Sequence, residues 1–371
     1  MTIPDSRFPA SGFSATDHAL MARALRLAER GAYTTRPNPM VGCVIARGDE
    51  VVGEGWHQRA GGPHAEVFAL RAAGERARGA TAYVTLEPCA HHGRTPPCVD
   101  ALVEAGVARV VAALRDPFLT VNGAGFDRLR AAGIDVASGL LEAQARELDR
   151  GFLSRIERGR PWLRVKLAMS LDGRTALGNG ESKWITGEAA RVDVQRWRAR
   201  AGAILTGSGT VLADDPRLTA RVPDADIVPP LRVVLDRHLR TPAAANLLDG
   251  SVPTLFFHAA SATPDARFAR VECESLPQGT GGLSLAVALE RLAARGIGEV
   301  QVEAGPTLAG ALFAQGLADE LLLYVAPLLL GSDARALLAL PPLAGMADRW
   351  RLRVVDQRTI GDDWRLRCLT A

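Results

Sequence analysis

Apolar residues recur at helical spacing over residues 18–30, where Leu20, Ala24, Leu27 and Ala28 share one face, Asp17 stands at the cap position and Gly31 at the stop. The period then shortens. Runs suited to strands cover 41–46 and, after a Gly48-Asp49 turn, 51–56. A helix is predicted over 64–74, a buried strand over 81–86, a helix opening after Pro97, a strand over 108–114, a helix over 122–132 and a short strand over 134–137. An amphipathic run from 140 to about 158 ends in the charged segment Arg155 to Pro161. This alternation predicts a three-layer α/β/α domain over 16–158, after a loose Pro-, Ser- and Gly-containing lead-in over 1–15.

The remainder, 159–371, alternates again. Strands are predicted over 162–169, 231–236, 254–257, 299–303 and 320–326, and helices over 188–200, 284–294 and from Gly305 onward. Such a chain predicts a wound sheet that binds ligands at the carboxyl ends of its strands. Residues 331–343 read as a loop, and 352–357 and 364–369 as closing edge strands. No G-x-G-x-x-G follows the first strand, so the dinucleotide fingerprint is missing. The glycines of Glu303-Ala304-Gly305-Pro306-Thr307-Leu308-Ala309-Gly310 stand instead at a strand-to-helix turn, where bare N–H groups meet phosphate or where a helix packs closely on a sheet.

Composition narrows the class. The 371 residues are 47% apolar and 23% charged, with no apolar run long enough to span a membrane. Charge is +3, from 44 basic and 41 acidic residues without blocks, which excludes a nucleic-acid footprint of bulk positive charge. Five cysteines, an odd number in a long chain with no secretory signal at its start, point to a reducing cytoplasm.

The chemistry concentrates between Gly61 and Asp100. Pro63-His64-Ala65-Glu66 is followed by Glu87-Pro88-Cys89 and Cys98. One imidazole and two thiolates leave a fourth tetrahedral position for water, the layout of a catalytic zinc site. Glu66, two residues after the histidine, is placed to carry a proton, as in zinc deaminases. A structural zinc would want a fourth cysteine or histidine, and two reduced core cysteines would need no Pro-Cys context. Upstream, Pro37 and Pro39 hold Asn38 in a stiff extended turn before a strand, and His57 precedes the zinc helix by one loop. Cys43, Cys273 and Cys368 have no ligand-like neighbours and read as buried hydrophobes.

Eight residues separate Cys89 from Cys98 where the generic deaminase pattern has two. The long form, with its His91-His92-Gly93-Arg94-Thr95-Pro96-Pro97 insert, resembles the bacterial bifunctional riboflavin-biosynthesis deaminase/reductases. The segments MSLDGRTA, ESKWIT, GTVLADDPRLT and VEAGPTLAGAL resemble the reductase half of that family in the expected order, so the resemblance spans about 17–334. It implies an N-terminal cytidine-deaminase-like domain and a C-terminal dihydrofolate-reductase-like domain. The first would remove an amino group from 2,5-diamino-6-ribosylamino-4(3H)-pyrimidinone 5′-phosphate, and the second would reduce its ribosyl chain with NADPH.

By that resemblance His64, Cys89 and Cys98 bind zinc (Zn2+), Glu66 shuttles the proton, and Asn38, His57 and Arg94 contact the substrate. Ala168, Trp184, Thr210, Asp214 and the turn Gly305, Pro306, Thr307, Leu308, Ala309, Gly310 and Ala311 match NADPH-binding positions. Ser182, Arg198, Leu218, Arg221 and Glu303 match reductase substrate positions, and the two arginines suit a 5′-phosphate. Arg237, at the end of the strand over 231–236, is the candidate reader of the NADPH 2′-phosphate. The expected partners are a small phosphorylated aminopyrimidine and further copies of the chain, as a dimer or tetramer, with neither nucleic acid nor membrane. A nucleic-acid base deaminase with an accessory domain is the alternative, but it would want a basic face or aromatic platform, and aromatics are only 5%. A zinc-stabilised binding module would release no ammonia.

Overall fold

A computed structural model of the chain describes residues 12–91, 96–118 and 122–370. The chain divides into two compact units, Met1–Arg158 and Gly159–Ala371. Among the described residues the first unit holds a five-stranded sheet and the second a nine-stranded one.

In the first unit, α1 (Ala15–Ala28) opens with a capping box. The Ser14 hydroxyl accepts from the Asp17 N–H at 3.0 Å, and the Asp17 carboxylate accepts from the Ser14 N–H at 2.8 Å. Ser14, not Asp17, is therefore the cap. Asp17 faces inward instead, accepting from Tyr83 Oη at 2.7 Å and Arg109 Nη1 at 2.9 Å. The strands β1 (Gly42–Arg47), β2 (Glu50–Trp56), β3 (Thr81–Val84), β4 (Arg109–Ala112) and β5 (Asp135–Ser138) lie in the order β2-β1-β3-β4-β5. The hairpin side is antiparallel and β3-β4-β5 is parallel.

Three further helices, α2 (Ala65–Ala73), α3 (Cys98–Glu104) and α4 (Ala124–Ala131), cover one face, burying Ala69, Leu102, Phe126 and Leu129 against Val84 and Val110. The opposite face buries Leu20, Ala24 and Leu148 against Val44 and Val111. These are the three layers. The run over 140–158 is not one helix but two, α5 (Glu142–Leu148) and α6 (Arg150–Arg158), because buried Asp149 leaves the helical path and its carboxylate accepts the Met40 N–H at 2.8 Å.

Two glycines of β2 set how closely α2 approaches the sheet. A Cβ on Gly53 would lie 2.3 Å from the Ala69 carbonyl oxygen, and one on Gly55 would lie 2.5 Å from Phe68 Cβ. Bare backbone at both positions lets the helix that follows His64 rest directly on the strand.

The large sheet of the second unit runs Glu272–Leu276, Thr254–Ala259, Leu231–Leu235, Ala203–Gly207, Glu299–Val302, Trp162–Ser170, Glu320–Ala326, Asp363–Thr370 and Leu352–Ile360. It is parallel through Glu320–Ala326 and closes with an antiparallel hairpin. The edge strand Glu272–Leu276 has no apolar alternation in the sequence that would announce it. On one face, α7 (Glu188–Arg200) lies over charge. Fully buried Arg164 reaches Glu299 at 2.9 Å and Glu320 at 3.2 Å, with its guanidinium 4.4 Å from the Trp197 ring centre. The other helices are α8 (Ser208–Asp214), α9 (Leu285–Ala294) and α10 (Pro306–Ala314).

Gly53→Ala should force α2 off β2 and destabilise the first unit by about 1–3 kcal/mol, the usual cost of overpacking. The check is the urea unfolding transition of the full chain, monitored by circular dichroism. Equal midpoints in variant and wild type would show that the close approach carries no such constraint.

Candidate active sites

Three separate segments bring the first cluster together. His64 is the residue before α2, in extended conformation, Cys98 opens α3 directly after Pro97, and Cys89 follows β3 through Thr85-Leu86-Glu87-Pro88. The donor atoms of His64, Cys89 and Cys98 lie within 4.8 Å of one another. His64 Nδ1 is 3.1 Å from Cys98 Sγ and 3.5 Å from Cys89 Sγ. Ligands at zinc bond lengths in a tetrahedron stand about 3.5 to 4 Å apart, so these atoms need only small movements to fit the ion. Cys89 Sγ also accepts the Cys98 N–H at 3.3 Å.

The thiols are prepared for this. Hydrogen bonding from Cys98, then from His64 and the Cys98 N–H, pulls the Cys89 thiol down to about 4. Cys98, donating to Cys89 and buried, is pushed up, and His64 is raised by its partnership with Cys89. Glu66 lies in the first turn of α2, almost wholly buried, and its Oε2 has no hydrogen-bond partner among the described residues. A buried carboxylate oxygen without a partner beside three convergent ligands fits a zinc site whose fourth position holds a water. Burial first, with the Cys89 thiolate adding and His64 opposing, raises the Glu66 carboxyl above the ordinary range.

Asn38 stands beside this cluster, in a hydrogen-bonded turn closed by its N–H to the Thr35 carbonyl at 2.9 Å, not in an extended segment. His57 is buried, with both ring nitrogens engaged by the chain: Nδ1 at 3.0 Å from the Pro63 carbonyl and Nε2 at 3.1 Å from Asn38 Nδ2. It packs edge-on against His64 with ring centres 5.5 Å apart. In this structure His57 therefore supports Asn38 and His64 from behind. Arg94 lies outside the described residues.

In the second unit the centre is Glu303, at the end of the Glu299–Val302 strand. Arg198 grips its carboxylate with Nε and Nη2, both at 2.6 Å, and Gln301 Nε2 adds a third contact at 2.8 Å. Burial would raise this carboxyl, but the charge and hydrogen bonds of Arg198, helped by Lys166, hold it at about 2. Arg198 Nη1 donates to the Thr219 carbonyl at 3.1 Å. Its donors are thus turned to the protein, which alters its expected part as a phosphate clamp. Arg221 is exposed, with Nη1 on Thr219 Oγ1 at 2.7 Å.

Lys166 shares this neighbourhood and is not among the residues that the sequence motifs single out. Burial lowers its pKa, with Arg198 in the same direction and Glu303 opposing. Its signal was available: Arg164, Lys166 and Ala168 alternate along one side of a strand that otherwise reads apolar.

The other positions separate into open and packed ones. Gly305 precedes α10 with nothing near its would-be Cβ, and Thr307 is exposed. Gly310 is packed instead: a Cβ there would lie 2.2 Å from the Ala339 carbonyl oxygen. Ala309 is wholly buried, while Pro306, Leu308 and Ala311 are half-buried. Leu218 has left-handed backbone (φ 47°) and a side chain in the core beside Val211 and Phe256, so any ligand meets its backbone. Thr210 and Asp214 lie on α8, where Arg240 Nη2 is 3.3 Å from Ser208 Oγ. Arg237 is exposed beyond its strand, half-buried Ala168 lies near the end of its own, and Ser182 precedes Trp184, which is exposed under the Arg191 guanidinium at 4.7 Å.

Residues 161–366 match the family model described as the RibD C-terminal domain, and residues 14–114 match that of the cytidine and deoxycytidylate deaminase zinc-binding region. The chain is 51% identical over 360 residues to the riboflavin biosynthesis protein RibD of Escherichia coli strain K12, covering 94% of this chain and 97% of that one. It is 47% identical over 367 residues to RibD of Haemophilus influenzae, covering 95% and 97%. Among solved structures, RibD of Acinetobacter baumannii superposes with a TM-score of 0.89 at 46% identity, covering 96% of this chain and 99% of the other. A diaminohydroxyphosphoribosylaminopyrimidine deaminase/5-amino-6-(5-phosphoribosylamino)uracil reductase from Thermotoga maritima superposes at 0.85, with 32% identity and coverage of 96% and 99%.

Zinc capture must displace protons from Cys98 and His64, which the site holds above their ordinary pKa values, whereas Cys89 is already a thiolate near neutral pH. The sign follows: acid competes with zinc. Measured by chelator competition, zinc affinity should fall about tenfold or more for each unit between roughly pH 8 and pH 6. An affinity flat across that range would contradict the proton inventory.

Proposed function

The chain belongs to the RibD family of riboflavin biosynthesis proteins, and from that premise we propose how its residues carry out the two reactions of a bifunctional deaminase and reductase. The carrying observation is the His64, Cys89 and Cys98 cluster with the partnerless Glu66 carboxylate oxygen beside it.

The substrate proposed for the first unit is 2,5-diamino-6-ribosylamino-4(3H)-pyrimidinone 5′-phosphate. His64, Cys89 and Cys98 would hold the zinc, which would supply a Lewis acid able to lower the pKa of water to near 7. Glu66 would take one proton from the attacking water and give it to the ring nitrogen beside the amino-bearing carbon, then take the remaining hydroxyl proton of the adduct and pass it to the amine, so that the C–N bond breaks and ammonia leaves. Its raised pKa suits a group that must hold a proton between two transfers. Asn38 orients the ring, His57 fixes Asn38, and Arg94 contacts the ribose phosphate.

In the second unit NADPH, when bound, would supply the hydride for reduction of the ribosyl chain to ribityl, which would give 5-amino-6-ribitylamino-2,4-pyrimidinedione 5′-phosphate. Glu303, kept ionised by Arg198, accepts hydrogen bonds from ribosyl hydroxyls, and Lys166 lies beside it with a lowered pKa suited to proton donation. Exposed Arg221 receives the 5′-phosphate, while Ser182 and the Leu218 backbone complete the substrate wall. Gly305 and Thr307 offer the open start of α10 to the cofactor, with Ala168, Trp184, Thr210 and Asp214 around it.

No helix among the described residues is long and apolar enough to cross a membrane. Paired thiol ligands support a reducing, cytoplasmic setting. Assembly as a dimer or tetramer is supported by the edge strand Leu352–Ile360, on which Leu352, Val354 and Val355 are exposed.

Two sets of variants test these assignments. Glu66→Gln should keep zinc and lose ammonia release by about a hundredfold or more. Cys89→Ser should abolish ammonia release while the same chain still oxidises NADPH when given the deaminated intermediate. Ammonia and NADPH absorbance are followed separately, and loss of both activities in folded Cys89→Ser would point to one composite site.

Cofactor choice is read through the strand end at Arg237, which is proposed to meet the 2′-phosphate, with Arg240 nearby on Ser208. A charged hydrogen bond contributes roughly 1.5–3 kcal/mol, so Arg237→Ala should weaken NADPH about ten to a hundredfold and leave NADH use almost unchanged. An unchanged NADPH to NADH ratio would transfer the role to Arg240.

A further inference from the structure

The zinc ligands do not account for one buried carboxylate next to them. Glu87, two residues before Cys89, is 4% exposed and gathers four peptide N–H groups from a distant segment. Its Oε2 accepts from Asp116 and Gly123, each at 3.1 Å, and its Oε1 accepts from Gly125 at 3.0 Å and Phe126 at 3.4 Å. Its own N–H bonds to the Leu114 carbonyl at 2.9 Å. With both oxygens directed at the chain, Glu87 is no ligand. Four converging donors nonetheless exceed what closing a loop requires.

The consequence passes through Pro88. Its carbonyl lies against Gly125, where a Cβ would come within 2.1 Å, so the corner cannot relax toward α4. Proline fixes its own φ, leaving little freedom between the Glu87 clamp and the thiol. On the far side the Cys89 carbonyl accepts the Val99 N–H at 3.2 Å. Cys89 is thus held from both directions, by α3 through its own backbone and by Leu114, Asp116, Gly123, Gly125 and Phe126 through Glu87.

We propose that Glu87 is a positioning residue for deamination: its carboxylate ties the backbone of Asp116, Gly123, Gly125 and Phe126 to the Pro88-Cys89 corner and so fixes where the Cys89 sulfur meets the metal. Glu87 touches neither metal nor substrate and acts through Cys89. The inference rests on the zinc site assigned above, and Glu66→Gln, which should keep zinc without turnover, tests that site separately.

Glu87→Gln keeps the shape but turns an amide NH2 toward two of the four N–H donors. Zinc affinity by chelator competition should fall about ten to a hundredfold, and kcat for ammonia release at saturating zinc about tenfold, with KM changed by less than about threefold. Cobalt-loaded protein should show altered thiolate-to-cobalt absorption bands. NADPH oxidation by the same chain, given the deaminated intermediate, should be unchanged, and a wild-type-like circular dichroism spectrum and resistance of residues 12–158 to limited proteolysis report that the first unit is folded. If Glu87→Gln yields no soluble protein, Glu87→Asp is read identically, since the shorter carboxylate cannot span all four donors. Zinc affinity, cobalt bands and kcat all within about twofold of wild type in a folded variant would overturn the proposal, because a merely structural clamp moves only the unfolding midpoint.

Discussion

A catalytic zinc needs three donor atoms from separate parts of the chain to meet within a few ångströms while the backbone behind each stays rigid. The first unit meets that demand by starting two helices at one place. His64 immediately precedes α2 and Cys98 begins α3, so both ligands stand where helical N–H groups point outward and favour negative charge. Cys89 arrives from the end of β3 and accepts the first N–H of α3 on its sulfur. The other contacts of the unit serve this meeting. The glycines of β2 let α2 settle on the sheet, and β3 is held between β1 and β4.

The sequence discloses such a site well where chemistry and spacing coincide, and poorly where packing decides. His64, Glu66, Cys89 and Cys98 could be named because imidazole, thiol and carboxylate stand at a spacing few other demands impose. Gly305 and Gly310 look equivalent in the sequence, yet one is open at the start of a helix and the other is required by the Ala339 carbonyl. Only the fold of residues 337–340 onto α10 distinguishes them, and no local pattern encodes that return. Asp149 shows the same limit from another side: the amphipathic period continues past it, but a contact to Met40, distant in sequence, breaks the helix. The polar strand Glu272–Leu276 is held as a strand by its parallel neighbour, which supplies the pairing that its own side chains do not predict.

Beneath α7 the second unit uses charge where a core is usually apolar. Arg164, Glu299 and Glu320 are buried, with Arg367 on Glu320 at 2.7 Å and Arg200 on Glu299 at 3.3 Å. Arg164, Glu299 and Glu320 each face two ions of opposite sign, from neighbouring strands and from α7. Removing one partner would leave a buried charge, which is costlier than never having buried the pair. The same helix carries Arg198, so the network that seats α7 also sets where Arg198 meets Glu303.

Two buried glutamates show how the surroundings assign chemistry. Glu66 lies beside the electron-rich Cys89 thiolate with one oxygen lacking a partner, and burial raises its pKa. Glu303 is less completely covered, and a bidentate arginine outweighs the effect of its burial and holds its pKa at about 2. The environment of the first favours its protonated form more than water does, and that of the second favours the carboxylate, which accepts hydrogen bonds. Exchanging the side chains would change nothing, since they are identical. Exchanging the guanidinium would change both environments, because an arginine beside Glu66 would oppose the rise that burial imposes, while Glu303 without Arg198 would lose the strongest of the influences that hold its pKa down.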